Sequence, residues 1–61
     1  MTKAERRKLV IEIAYLDGSV SGTDMDEFII PDEYINDTEL SNAWIQGYED
    51  GEEEREMDDD E

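Results

Sequence analysis

Hydrophobic residues recur at helical spacing in two parts of the chain. In the first, Leu9, Ile13 and Leu16 lie four and then three residues apart, which predicts the apolar face of a helix over residues 2–16. In the second, Leu40, Trp44 and Tyr48 recur at every fourth residue. This second repeat is the clearest helical pattern in the sequence, and it places the single Trp on a helix that starts near residue 37 or 38.

The first helix has signals for both its start and its end. Thr2 and Glu5 match a capping box, and Gly18 stands where helices often end in a left-handed residue. The run 9–16 also suits a β-strand, with a hairpin turn at Asp17-Gly18, and periodicity alone does not separate the two structures in so short a run. Because the cap and the flanking helix-forming residues agree, we favour the helix, followed by a loop over residues 18–22.

A proline interrupts the region between the two patterns. Met25, Phe28 and Ile29 have helical spacing, but Pro31 disfavours helical geometry at the residue before it. The segment therefore predicts either a short helix capped by Thr23 or a short edge strand at residues 28–30. Pro31 is then well placed to open one further helical turn.

These patterns predict a small, mostly α domain of two to three short helices over residues 1–51, followed by a frayed or disordered acidic tail at residues 52–61. The alternative is an α+β fold with a hairpin around Asp17-Gly18 and a C-terminal helix. Gly47 costs about 1 kcal/mol relative to Ala inside a helix, which a close helix crossing would explain. The expected core consists of Leu9, Val10, Ile13, Leu16, Phe28, Ile29, Tyr34, Leu40, Trp44, Ile45 and Tyr48.

The composition excludes several kinds of chemistry. The chain of 61 residues has neither Cys nor His, so disulfides, thiolate or imidazole metal sites and nucleophile–histidine pairs are ruled out. Carboxylates are too numerous for a catalytic pair to be singled out, and so small a body leaves little room for a cleft. We therefore expect no enzymatic activity, no cofactor and no dedicated metal site. Weak divalent-cation binding is a third hypothesis, suggested by a calcium-loop register that starts at Asp17. It is the weaker one because this register lacks the glutamate that closes such loops.

Charge is the dominant feature of the sequence. Twenty acidic residues oppose five basic ones, giving a net charge of −15, and residues 17–61 hold eighteen of the acids with Arg55 as their one base. Such a surface repels nucleic acid and anionic membranes, because binding phosphate needs Lys and Arg. No apolar run approaches the roughly 20 residues that span a bilayer. We expect a soluble, cytoplasmic protein whose partners are basic.

The acidic run resembles nucleic acid in its density of charge. Residues 49–61 include ten acids, which in a helix is about one charge per 2 Å, against one per about 1.7 Å of duplex DNA. The leading hypothesis is a small inhibitor, encoded by a bacteriophage or mobile element, that blocks the nucleic-acid-binding surface of a nuclease, a restriction or CRISPR effector, a glycosylase or a polymerase. Its candidate binding residues are Asp24, Asp26, Glu27, Asp32, Glu33, Asp37, Glu39, Trp44, Tyr48, Glu49, Asp50, Glu52, Glu53 and Glu54.

The alternative hypothesis is an adaptor that binds its partner through the Trp44 and Tyr48 face of the second helix, with the acidic tail only keeping the protein in solution. Trp and Tyr dominate protein–protein contacts, but their helical spacing here favours a place in the core. A body this small is also marginally stable by itself. We therefore expect either a homodimer or stabilisation by a partner.

Overall fold

The computed structural model describes residues 2–59, with side chains described through residue 54. It contains three helices, α1 (Lys3–Thr23), α2 (Asp32–Ile35) and α3 (Thr38–Asp59), and no strand among the described residues. The mostly α fold is confirmed. The hairpin alternative is wrong, because Asp17 and Gly18 lie inside α1.

The two long helices run parallel to each other. Arg7, near the start of α1, contacts Asp37 and Glu39 at the start of α3, while Gly22, near the end of α1, lies against Glu52. The connection between the helices therefore returns along the length of the pair, and α2 is part of it. Since α1 ends beside Glu52, the last turns of α3 extend beyond the end of α1.

The capping box at the start of α1 is confirmed. The Glu5 backbone N–H donates to the Thr2 hydroxyl (3.2 Å), and the Thr2 backbone N–H donates to the Glu5 carboxylate (3.0 Å). These two reciprocal bonds satisfy backbone donors that have no partner within the helix. They fix the start of α1 where the sequence predicts it.

The predicted end of α1 at Gly18 and the loop at residues 18–22 are wrong. Gly18 and Gly22 are helical and buried, and no glycine among the described residues has a positive φ. A β-carbon on Gly18 would lie 2.0 Å from the carbonyl oxygen of Trp44. These glycines therefore allow two helix backbones to touch; they do not end the helix.

The left-handed residue that ends α1 is Met25, with φ 65°. The Met25 N–H donates to the Gly22 carbonyl (3.3 Å) and the Asp26 N–H to the Ser21 carbonyl (2.9 Å). This is the bonding pattern of a Schellman motif, which usually has glycine at the left-handed position. Because Met occupies that position, the end of α1 gave no glycine signal in the sequence.

The connection is irregular except for one short helical turn. Residues 24–31 form neither the short helix nor the edge strand considered above. The turn opened by Pro31 is present as α2, with Pro31 as its N-cap residue. The Asp37 carboxylate then accepts the backbone N–H groups of Glu39 and Leu40 (3.1 and 3.2 Å) and so caps α3, as predicted.

The core is smaller than expected. Its buried side chains are Ala14, Tyr34, Leu40, Trp44 and Tyr48, with Val10, Ile11, Ile30, Ala43 and Ile45 packed partly buried around them. The expected core residues Leu9, Ile13, Leu16, Phe28 and Ile29 are instead exposed. Phe28 still contacts the core, with its ring centroid 5.5 Å from that of Trp44 and 5.0 Å from that of Tyr48.

The helix continues into the acidic run. Gly51 does not end α3, because it too lies against α1, where a β-carbon would be 2.3 Å from the Ser19 carbonyl oxygen. The backbone is helical to Asp59. The sequence predicts a frayed or disordered tail at residues 52–61. The side chains of residues 55–59 and the whole of residues 60–61 lie outside the described part of the chain, so for them this stays a prediction.

Candidate acidic interface

The parallel arrangement places two groups of carboxylates at opposite ends of the helix pair. Asp37 and Glu39 lie at the start of α3, beside the basic start of α1. Another set lies where α1 ends and is exposed. We call this exposed set the acidic end; it comprises Asp24, Asp26, Glu27, Glu49, Glu52, Glu53 and Glu54.

At the start of α3, Arg7 neutralises part of the charge. Its guanidinium lies 2.8 Å from the Asp37 carboxylate and 2.9 Å from the Glu39 carboxylate. The hydrogen bond from Arg7, followed by the one from the Leu40 N–H, lowers the pKa of Asp37, and hydrogen bonds to Asp37 and Glu39 raise the pKa of Arg7. These two acids are therefore held by the chain itself, which makes them poor candidates for a partner contact.

The acidic end brings together two segments that are distant in sequence. The Tyr48 hydroxyl donates to the Asp26 carbonyl oxygen, and this contact holds residues 24–27 beside the turn of α3 that carries Glu49 and Glu52. Gly22 lies against the Glu52 backbone, so the end of α1 brings Asp24 to the same place. All the residues of this end are exposed, both those of residues 24–27 and those of α3.

Two tyrosine hydroxyls hold acids that lie along the sides of the pair. Tyr15 donates to the Asp50 carboxylate, and Tyr34 donates to the Asp17 carboxylate at 2.7 Å. The hydrogen bond to Asp50, together with desolvation, raises the pKa of Tyr15; the bond to Asp17 and desolvation raise the pKa of Tyr34 to about 12. Asp50 is thus half-buried and engaged within the fold, unlike its neighbour Glu49.

The remaining candidates divide between surface and core. Asp32 and Glu33 are exposed in the first turn of α2, on the connection rather than at the acidic end. Trp44 and Tyr48 are 2% and 8% exposed, and their rings stack with centroids 5.3 Å apart. Both rings serve the core of this fold, so the contact surface that the adaptor hypothesis assigned to them is not presented to a partner.

An apolar surface lies elsewhere, on α1. Leu9, Ile13, Leu16 and Val20 are 44%, 54%, 56% and 59% exposed. The helical spacing of Leu9, Ile13 and Leu16 led to the prediction that they form the core, because the pattern shows an apolar face without showing which face packs. Val20 was assigned to the predicted loop at residues 18–22. The distinguishing signal was the small residues: Ala14, Gly18 and Gly22 in α1 and Ala43, Gly47 and Gly51 in α3 each recur at every fourth position.

No group of three or more potential metal-ligating side chains is positioned to hold an ion within the part of the chain that the structure describes. In the same part of the chain, neither long helix is apolar enough over a sufficient length to cross a membrane. Comparison of the chain with protein-family models, with curated proteins and with solved structures finds no match.

Proposed function

We propose that this chain is a small, non-enzymatic, cytoplasmic inhibitor whose acidic end occupies the basic nucleic-acid-binding surface of another protein. The observation that carries the proposal is the density of exposed negative charge where α3 passes the end of α1. Residues 49–54 hold four exposed acids in six positions, or about one charge per 2 Å of helix. Duplex DNA carries one per about 1.7 Å of its axis.

The placement of the two charge groups supports a directional contact. The basic residues of the first half lie at the start of α1, where Arg7 is bound to Asp37 and Glu39. The acidic end lies at the opposite end of the helix pair. A basic groove would therefore be attracted to one end of the molecule, and electrostatic steering would raise the rate of association.

Rigidity gives the acidic end a further advantage over a disordered acidic tail. Glu52 to Glu54 lie on a helix that is held against α1 by backbone contacts at Gly47 and Gly51. Asp26 is held to the same turn by Tyr48. Charges that are already ordered lose less conformational entropy on binding, so the acidic end would compete with nucleic acid more effectively than the same residues on a flexible chain.

The proposal is tested by capture from a cell lysate with matched charge variants. The tagged wild-type chain, a Glu52→Gln/Glu53→Gln/Glu54→Gln variant and a Glu12→Gln/Asp32→Asn/Glu33→Gln variant are compared. Both variants lose the same number of charges, but only the first alters the acidic end. Circular dichroism checks that each one folds.

We expect the wild type and the Glu12/Asp32/Glu33 variant to retain one nucleic-acid-binding protein that duplex or single-stranded DNA displaces. The Glu52/Glu53/Glu54 variant should lose it. A partner that resists both salt and DNA, or that binds both variants equally, would contradict the proposal.

A further inference from the structure

The apolar side chains on the outside of α1 form a continuous line, which we call the outer stripe: Leu9, Ile13, Leu16 and Val20. They are separated by four, three and four residues, the alternating spacing of the core positions in a two-helix coiled coil. Each side chain is 44–59% exposed. Exposed large apolar residues in a line are unusual for an isolated soluble helix.

The outer stripe lies on the side of α1 that faces away from α3. At about 100° per residue, its positions fall roughly opposite to those of Arg7, Ala14 and Gly18, which contact α3 or the core. The helix is thus apolar on two faces. One face packs against α3 through small residues, and the other is available for a second helix.

We propose that the outer stripe is the interface of a homodimer, in which α1 packs antiparallel against α1 of a second copy. In this register Leu9 lies opposite Val20 of the second copy and Ile13 opposite its Leu16, so that all four side chains of each stripe meet apolar partners. The contact is two-fold symmetric, as in most homodimers. It does not depend on what the acidic end binds.

Charge selects a second copy as the occupant. Within α1, four basic residues and three acidic residues are present, so this helix is close to neutral in a chain with a net charge of −15. Its basic residues lie in its first two turns and Asp24 follows its last turn. An antiparallel second copy therefore brings Lys3 of one chain near Asp24 of the other, whereas a parallel copy would bring the basic residues together.

The arrangement also separates the strongest charges. Because α3 lies on the far side of α1, the two α3 helices would be on opposite outer faces of the dimer. Their acidic ends would lie at opposite ends of the dimer, pointing in opposite directions along the helix axes. The repulsion that opposes association of such acidic chains is thereby kept distant, and at about 0.15 M salt it is screened beyond about 8 Å.

The test is the molecular mass in solution, measured by sedimentation equilibrium from micromolar to millimolar concentration in physiological salt. Leu16→Glu alters the outer stripe, and Ile35→Glu is its matched control, because Ile35 on α2 is exposed to nearly the same extent (54% against 56%). The wild type and the Ile35 variant should dimerise. The Leu16 variant, in which the change occurs twice per dimer, should raise the dissociation constant at least tenfold.

A second measurement does not require replacement of an apolar residue of the outer stripe. The chain has no cysteine, so a spin label can be attached to an Ala4→Cys variant, and Ala4 is exposed outside the stripe. The antiparallel register places the two labelled positions about 32 Å apart along the helix axis. In the sedimentation experiment, a monomer at all concentrations or a dimer that Leu16→Glu leaves intact would overturn the proposal. A short distance between the two spin labels would also overturn it.

Discussion

Gly47 and Tyr15 bring the backbones of α3 and α1 into direct contact, since a β-carbon on Gly47 would lie 2.0 Å from the Tyr15 carbonyl oxygen. The close helix crossing inferred from the sequence at Gly47 is therefore present. The same relation recurs at Gly18, Gly22 and Gly51. In this fold the glycines, more than the large apolar side chains, determine which faces of the two helices meet.

Replacing Gly47 by alanine should destabilise the protein even though alanine is the better helix former. The β-carbon would meet a carbonyl group rather than a movable side chain, so the helices must separate; overpacking of this kind costs about 1–3 kcal/mol. Urea unfolding of Gly47→Ala measures the effect. Asn42→Ala, at an exposed position of the same helix, is the control and should be neutral or slightly stabilising, and equal behaviour of the two variants would contradict the close contact.

Replacing Met25 by glycine should stabilise the protein. Met25 has φ 65°, and a left-handed conformation costs a residue with a β-carbon roughly 1–2 kcal/mol. Its side chain is 67% exposed, so little packing is lost on truncation. Met25→Gly should raise the free energy of unfolding by about 1 kcal/mol, whereas Met25→Ala, which keeps the β-carbon, should not; a gain of the same size in both variants would mean that backbone strain is not the cause.

The Tyr34–Asp17 hydrogen bond should appear as a dependence of stability on alkaline pH. Because the folded pKa of Tyr34 is raised to about 12, above the value of about 10 for an unfolded tyrosine, the bond stabilises fully below about pH 10. Its contribution is lost as the pH rises through about 12. Tyrosinate absorbance should show a component that titrates near pH 12, which Tyr34→Phe removes and Tyr15→Phe leaves in place. The raised pKa of Tyr15 gives a separate component, which only Tyr15→Phe removes. A component near pH 12 that persists in Tyr34→Phe would contradict the assignment.

The Arg7–Asp37 pair should be visible at acid pH. The pKa of Asp37 is lowered from its ordinary value of 3.8, so its contribution to stability is present above that value and is lost as the pH falls through the folded pKa. Carboxyl-carbon NMR should show the pKa of Asp37 rising in Arg7→Gln. Lys8→Gln removes a neighbouring, exposed positive charge and should leave the pKa of Asp37 nearly unchanged. A similar rise of this pKa in both variants would mean that any nearby positive charge, rather than the hydrogen bond from Arg7, lowers it.

Local signals in the sequence predicted local structure well. The Thr2–Glu5 capping box, the Pro31 turn and the α3 cap at Asp37 each depend on residues within four positions of one another. The end of α1 could not be predicted, because a glycine in a helix contact and a glycine that ends a helix look alike in sequence. Met25, the residue that ends α1, is an uncommon choice for a left-handed position.

Long-range pairing decided the rest. The apolar repeat of α1 was expected to face the core. The face of α1 that carries its small residues packs against α3 instead, and the apolar repeat lies on the exposed side as part of the outer stripe. The acidic candidate residues could be named from composition alone. Composition does not show which of them are exposed at the acidic end and which are held by contacts within the fold. This division depends on parallel helices that bring Asp37 to Arg7 and Asp26 to Tyr48, contacts between residues 22 to 30 positions apart.

The most direct test of the proposed function is a competition measurement on the captured protein after purification. Fluorescence anisotropy follows its complex with a labelled duplex while the wild-type chain is added. We expect full displacement of the duplex, weakened by salt and by Glu52→Gln/Glu53→Gln/Glu54→Gln but not by Glu12→Gln/Asp32→Asn/Glu33→Gln. A ternary complex, in which the chain binds while the duplex stays bound, would contradict it.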